Sequence, residues 1–298
     1  MREGGGRLDL VVLGNFSLDR LVLPDFGSRE RIGGTAYYTS LAAVSLGLRV
    51  GVVSNVTPKY RRVVEELLSG VDLSGLNLVG SMTCFEISYT ESWDRRMRVL
   101  SRGVGLSAEQ IPKEFLKAKV FHLGPVFNEV GYELTLKLRR MFKGLLTLDI
   151  QGVIRGESGG EMVLRVTDEV KRLVKHVDIV KMGLTEALAF SPDPVKALER
   201  MRGYGVETCI LTMGERGALL FRGGKVIRVP TVKVKVTDPT GAGDVFMAGL
   251  IAWLLRGFDL AEACLRACVF ASIFTSRRSF PGAEEVERLA RGLSVRCL

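Results

Sequence analysis

Short apolar runs alternate with longer amphipathic or apolar stretches along most of the chain. Strand-like runs occur near residues 8–13, 50–54, 119–123, 145–150, 177–181 and 209–212. Helical patterns lie between them, and this alternation predicts an α/β fold, a doubly wound and mostly parallel sheet covered by helices on both faces. Because ligands of such sheets bind beyond the carboxyl ends of the strands, we expect the chemistry just after each strand.

One region departs from this alternation and predicts a small β lid. Residues 83–90 and 97–100 have strand-like patterns joined by a polar turn, within an inserted segment at about 81–101. A second segment at about 18–32 is also extended, so we expect both segments to be insertions in a single domain of residues 1–298. Phe85 or Tyr89 would then cover a substrate and exclude water. A small sheet with one apolar face also needs a partner, so a homodimer through the lid is a second expectation.

The most apolar stretch follows a glycine-rich turn. Residues 245–255 carry no charge and end near Gly257, which predicts a buried helix, and the preceding residues 232–236 predict a strand. Gly241 and Gly243 leave backbone N–H groups open at the helix start, where the helix dipole favours an anion. Asp244 in the first turn is a candidate general base beside a transferring phosphoryl group. Its alternative role is a first-turn acid that only stabilises the helix.

Residues Asp238, Thr240, Gly241, Ala242, Gly243 and Asp244, followed by an apolar helix, resemble the C-terminal motif of the ribokinase-like sugar kinases, also called the phosphofructokinase B family. The resemblance implies a ribokinase-like three-layer fold with a β lid. It also implies Asp244 as the catalytic base, Gly241, Ala242 and Gly243 as the anion hole, and ATP and Mg²⁺ as cofactors.

The same resemblance implies a substrate site. Asp19 matches the acid that binds sugar hydroxyls, although a turn-forming Asp explains it equally well. Gly33 and Gly34 match the family's glycine pair, which lets a substrate approach the backbone closely. Tyr38 stands where the family commonly has an Asn that touches the sugar, which leaves the identity of the substrate open.

A further segment resembles particular branches of the family. Asp149, Gln151 and Arg155 follow a predicted strand in the pattern Asp-x-Gln-Gly-x-x-Arg, which is similar to branches that act on inositol-like polyols. Gln151 is therefore an expected substrate contact, whereas Arg155 fits either a phosphate contact or an exposed loop arginine.

The nucleotide and metal sites rest on the resemblance as well. The expected nucleotide contacts are Thr212, Gly214, Gly217, Thr240 and Gly243. Glu186 is the expected Mg²⁺ ligand, acting through water, although Gly183 replaces the Asn of the family pattern and Glu186 also fits an ordinary first-turn acid. In some members a monovalent cation binds beside the end of the helix that residues 259–276 form here.

Composition limits the other function classes. The chain has 298 residues and a net charge of +9, but its Lys and Arg residues are scattered and no basic stripe contains aromatics, so no nucleic-acid partner is expected. No apolar run reaches membrane-spanning length and no signal peptide begins the chain, so we expect a cytoplasmic protein. Only two Gln and four Asn occur, which favours a thermophilic source.

These observations favour an ATP-dependent phosphotransferase acting on a hydroxyl of a small sugar or polyol, with inositol-like rings among the candidates. A nucleoside kinase of the same fold is the first alternative, because Tyr37, Tyr38 and Phe85 can stack on a base. A non-catalytic sugar-binding regulator is the second.

Overall fold

The computed structural model describes residues 7–23, 27–89 and 95–298. Its strands are β1 Leu10–Leu13, β2 Ser17–Leu23, β3 Gly27–Gly33, β4 Val50–Val56, β5 Asp72–Leu78, β6 Thr83–Tyr89, β7 Arg95–Ser101, β8 Val120–Leu123, β9 Leu145–Asp149, β10 Arg155–Ser158, β11 Glu161–Leu164, β12 Ile179–Gly183, β13 Thr208–Thr212, β14 Ala218–Arg222, β15 Lys225–Val229 and β16 Arg296–Cys297. Its helices are α1 Thr35–Ser45, α2 Pro58–Leu67, α3 Tyr132–Met141, α4 Asp168–Val174, α5 Leu184–Leu188, α6 Pro194–Gly203, α7 Ala242–Leu255, α8 Leu260–Arg277 and α9 Ala283–Ala290.

The larger sheet has ten strands in the order β16-β15-β14-β13-β12-β9-β8-β1-β4-β5. From β13 to β5 every neighbouring pair is parallel, and β14, β15 and β16 extend the sheet antiparallel at one edge. The predicted mostly parallel sheet is therefore confirmed. Each predicted apolar run overlaps a strand of this sheet, as expected for strands buried on both faces.

Helices cover both faces of this sheet, which gives three layers. Successive strand residues point to opposite faces, so Val12 contributes to the core under α1, α2, α7, α8 and α9, while Val11 contributes to the core under α3 to α6. Helix α7 is buried from Val245 to Trp253, as its uncharged sequence predicts, and ends near Gly257 at φ 90°. Within the described ranges, no helix combines the length and the apolarity that crossing a membrane requires.

A second sheet covers one end of the first. Its six strands run in the order β10-β11-β7-β6-β2-β3, so both predicted lid segments belong to it. Its inner face carries Phe85 and Ile87, which pack with Val126 and Phe127. The hairpin β10–β11 is a third part of this sheet that the sequence analysis did not predict. The predicted polar turn after β6 and the side chain of Tyr89 lie outside the described residues.

The prediction of a strand at residues 232–236 is wrong. These residues follow β15 without regular secondary structure and without sheet partners. Both edges of β15 already pair, with β14 and β16, so β15 itself offers no free edge to a further strand. The segment instead runs along α8, where the Thr231 and Ser272 hydroxyls lie 2.8 Å apart and the Thr237 N–H donates to the Thr275 carbonyl at 2.9 Å.

Candidate active site

A cavity of about 480 Å³ lies where the carboxyl ends of the parallel strands face the second sheet. Most of the residues that the sequence singles out line it: Asp19, Gly34, Tyr38, Phe85, Gln151, Glu186, Thr212, Gly214, Thr240, Gly241, Ala242, Gly243 and Asp244. Gly33 lies beside it, because a Cβ there would be 2.6 Å from Oδ2 of Asp19. Gly217 lines a neighbouring cavity. The position beyond the strand ends is the one expected for a doubly wound sheet.

Asp244 opens into this cavity from the first turn of α7. The Thr35 hydroxyl, at the start of α1, donates to Oδ1 of Asp244 at 2.7 Å. Burial raises the pKa of Asp244 to about 6, and the nearby Asp149 carboxylate adds to the increase. The Thr35 hydrogen bond and the charges of Lys181 and Arg155 oppose it. A carboxylate with this pKa is mostly ionised at neutral pH yet basic enough to accept a proton.

Beside Asp244 lies a buried ion pair that the sequence analysis did not predict. Lys181 in β12 donates from Nζ to Oδ2 of Asp149 at the end of β9 over 2.8 Å. Burial lowers the pKa of Lys181, but the carboxylates of Asp149 and Glu186 outweigh burial and raise it overall. Nζ reaches the start of α7, since a Cβ on Gly243 would lie 2.4 Å from it. The sequence signal that indicates this ion pair is a lysine inside an otherwise apolar strand.

The glycine-rich turn has the backbone form that an anion site needs. Gly241 precedes α7 with φ 80° and ψ 0°, a left-handed conformation that favours glycine. A Cβ there would lie 2.6 Å from the Tyr38 ring, so Tyr38 packs directly under the turn. The Ala242 N–H closes the turn by donating to the Pro239 carbonyl at 3.1 Å. The N–H groups of Gly241 and Gly243 remain as candidate donors to an anion at the helix start.

The opposite end of the cavity suits a hydroxylated ring. The Ser17 hydroxyl donates to Oδ1 of the buried Asp19 at 2.9 Å, and Gln151 follows β9 on the same cavity wall. Phe85 contributes an apolar surface from β6, with the Arg155 guanidinium 5.3 Å from its ring centroid. Nη1 of Arg155 donates to the Val126 carbonyl at 2.9 Å, so Arg155 is held within the structure and is not an exposed loop residue.

A smaller and mostly apolar cavity of about 140 Å³ adjoins the turn. The predicted nucleotide residues Thr212, Gly214 and Gly217 line it, together with Gly243. Further lining residues are Val232, Val234, Val236, Phe246, Cys268 and Ala271. The segment at 232–236 thus forms a wall of this cavity, a role that its sequence alone did not predict. An apolar slot beside a glycine-rich anion site is suited to a nucleotide base.

Glu186 lines the main cavity near the start of α5. Its Oε2 accepts the Gly183 N–H at 2.8 Å, which fixes the position of the carboxylate. No cluster of three or more His, Cys, Asp or Glu suited to a metal occurs in the part of the chain described. This donor set fits Mg²⁺, because Mg²⁺ binds through one or two carboxylates together with substrate phosphates and water.

Comparisons with known proteins find kinases among the relatives of this chain. The chain is 31% identical to a cytidine kinase of Thermococcus kodakarensis over 268 residues, covering 87% of this chain and 92% of the relative. It is 26% identical to an inositol 3-kinase of Arabidopsis thaliana, covering 89% of this chain and 73% of that protein. The crystal structure of ribokinase from Thermotoga maritima superposes with a TM-score of 0.78 at 22% identity, covering 95% of this chain and 99% of the other.

The family comparison covers most of the chain. The model of the pfkB family carbohydrate kinases matches residues 30–281, a range that includes the glycine-rich turn and all of the smaller cavity but not Ser17 and Asp19 of the main cavity. The predicted ribokinase-like fold is therefore confirmed. The chain belongs to the pfkB family of carbohydrate kinases, enzymes that transfer a phosphoryl group to a hydroxyl group.

Proposed function

We propose that this protein is an ATP-dependent kinase that phosphorylates a hydroxyl group of a small sugar or polyol, with inositol-like rings among the candidates. The observation that carries the proposal is the position of Asp244. Its carboxylate lies at the amino end of α7, beside the glycine-rich turn and in the same cavity as Asp19. The candidate base, the candidate anion site and the candidate hydroxyl-binding acid therefore share one cavity, which is the arrangement that phosphoryl transfer to an alcohol needs.

In this proposal Asp19 and Gln151 bind hydroxyl groups of the acceptor and orient one hydroxyl toward Asp244. As the acceptor oxygen bonds to the γ-phosphorus, its proton passes to Asp244 and the bond between the γ-phosphorus and the bridging oxygen breaks. ADP leaves with that oxygen. The N–H groups of Gly241 and Gly243 stabilise the charge on the transferring phosphoryl group.

The donor side rests on the smaller cavity. Its apolar walls would hold the base of ATP, while Thr212, Gly214 and Thr240 line the path toward the γ-phosphate. Glu186 would hold Mg²⁺ through water, and the ion would neutralise phosphate charge when bound. Lys181 adds positive charge near the start of α7, where its ammonium is kept ionised by Asp149 and Glu186.

A nucleoside kinase is the second candidate, and two observations favour it. One relative of similar length is a cytidine kinase. The second sheet also gives the acceptor end an apolar wall of Phe85, Ile87 and Met97, against which a base can pack.

The test is a panel of acceptors offered with ATP and Mg²⁺: myo-inositol, ribose, fructose, cytidine and adenosine, with ADP release and ³¹P NMR of the product as readouts. The proposal expects one of the three carbohydrates to be the best acceptor by kcat/KM. A preference for cytidine or adenosine would establish the second candidate instead. Absence of turnover with every acceptor, in protein that binds them, would favour the non-catalytic regulator.

A further inference from the structure

Arg278 has an unusual backbone and an unusual set of contacts. It follows the last turn of α8 with φ 56° and ψ 24°, a left-handed conformation that glycine adopts more easily than arginine. In the described ranges only Asn128 is another non-glycine residue with positive φ. A residue kept in this conformation despite its cost suggests that its side chain has a specific task.

The guanidinium of Arg278 holds the loop that leads into the anion site. Nη1 donates to two backbone carbonyls, that of Asp238 at 3.1 Å and that of Thr240 at 2.7 Å. Nη2 lies 3.6 Å from Oδ2 of Asp238. The guanidinium also packs on aromatic rings, with its carbon 4.4 Å from the ring centroid of Phe274 and 5.8 Å from that of Tyr38.

These contacts set the direction of the Gly241 N–H, a candidate hydrogen-bond donor to the anion. In a trans peptide the carbonyl and the next N–H point in opposite directions, and the described chain contains no cis peptide bond. Because the Thr240 carbonyl faces Arg278, the Gly241 N–H faces away from it. Asp238 fixes the same turn, since its Oδ1 accepts the Thr240 N–H at 2.8 Å. Nη1 of Arg31 on β3 forms a salt bridge with Oδ2 of Asp238 at 3.3 Å.

The resemblance implies a monovalent cation beside this helix end in some members, but the residues here do not fit one. Such an ion needs several oxygen ligands, and the oxygens that the loop offers beside the end of α8 include the carbonyls of Asp238 and Thr240 and the Asp238 carboxylate. All three already face the Arg278 guanidinium. A second positive charge at this distance would be repelled and would find these oxygens occupied.

We propose that Arg278 is a positioning residue that takes the place of a monovalent cation. Its fixed charge holds the carbonyls of the loop 238–241, keeps the Gly241 N–H aimed at the phosphoryl site, and makes turnover independent of K⁺ and Na⁺. This inference rests on the proposed function, because it concerns the anion site of the same kinase reaction.

The experiment compares the wild type with Arg278→Ala and a matched control, Arg277→Ala. Arg277 is the neighbouring arginine, and its side chain is 56% exposed and pairs with Glu285 at 2.9 Å. Activity is measured with tetramethylammonium, Na⁺ or K⁺ as the only monovalent cation at equal ionic strength. We expect the wild type and Arg277→Ala to vary by less than about twofold among the three salts, because screening is the same in each.

For Arg278→Ala we expect kcat to fall by roughly 10- to 1,000-fold in tetramethylammonium, as for a misplaced oxyanion donor. Potassium or guanidinium ions, which can occupy the emptied position, should restore part of the loss, with little change in the KM of the acceptor. Strong activation of the wild type by K⁺ would overturn the proposal. Unchanged kcat of Arg278→Ala in tetramethylammonium, or a loss that neither ion reduces, would also overturn it.

A second measurement does not depend on turnover. The melting temperature of Arg278→Ala should rise with K⁺ relative to tetramethylammonium, while that of the wild type should not. If no acceptor is phosphorylated, the proposed function fails, but this difference still decides whether Arg278 occupies a cation position. If Arg278→Ala does not fold, Arg278→Lys takes its place in this measurement. Arg278→Lys keeps a positive charge and should melt at the same temperature in both salts. Stabilisation of Arg278→Lys by K⁺ would count against the proposal.

Discussion

The Asp244→Asn variant tests the central chemical claim, because it removes the base and nearly preserves its shape. The amide oxygen of Asn can still accept the hydrogen bond that Thr35 gives Asp244 at 2.7 Å. The variant cannot take a proton from the acceptor, so we expect kcat to fall by roughly 100- to 10,000-fold while ATP still binds.

The pKa of Asp244 also predicts an effect on stability. Folding raises it from 3.8 to about 6, so the folded protein binds this proton more tightly than the unfolded chain does. Stability contributed by this group is therefore lost as pH rises from about 4 to about 6, up to about 3 kcal/mol for a shift of about two units. This value is an upper bound, because water in the cavity screens the charge. Asn resembles the neutral acid, so Asp244→Asn should be more stable than the wild type at pH 8 and equally stable near pH 4.

The assays are steady-state kinetics with the best acceptor and urea unfolding at the two pH values. Asp259→Asn is the matched control, since Asp259 caps α8 by accepting the Glu262 N–H at 2.9 Å and lies outside the active-site cavity. The control should retain wild-type kcat. Turnover of Asp244→Asn within tenfold of the wild type would refute the general-base assignment. An equal gain in stability at pH 4 and pH 8 would show that the buried charge of Asp244 is not its cause.

Three further predictions follow from the same site. Asp149→Asn removes the neighbouring carboxylate that helps to raise the pKa of Asp244. The rising limb of kcat/KM against pH, expected near pH 6, should therefore move to lower pH. A limb that does not move would contradict this coupling. Gly241→Ala places a methyl group 2.6 Å from the Tyr38 ring at φ 80°, and we expect it to cost roughly 1–3 kcal/mol in urea unfolding and to reduce kcat. Ala271→Leu fills the apolar cavity of about 140 Å³. It should therefore raise the KM for ATP several-fold and leave the KM of the acceptor unchanged. An unaffected KM for ATP would mean that the base of ATP binds elsewhere.

Local patterns predicted the elements that carry a strong periodicity. The uncharged run before Gly257 forms α7, and the apolar runs form the central strands. Both kinds of segment are apolar on all sides, so their own sequence indicates that they are buried. Predictions failed where pairing decided the outcome. Residues 232–236 alternate Val and Lys as an edge strand would, but β15 has no open edge for them. The short hairpin β10–β11 has a weak pattern of its own and is a strand pair because it adds to β7.

The sequence by itself determined the α/β architecture, the buried helix and the position of Asp244 beside a glycine-rich turn, since these depend on residues close together in the chain. Only the tertiary structure decided the charges around that carboxylate and the conformation of the turn. Thr35 and Asp244 are 209 positions apart, Lys181 and Asp149 are 32 apart, and Arg278 reaches back 38 positions to the Thr240 carbonyl. Burial and ion pairing depend on distances in space, and no local pattern specifies those.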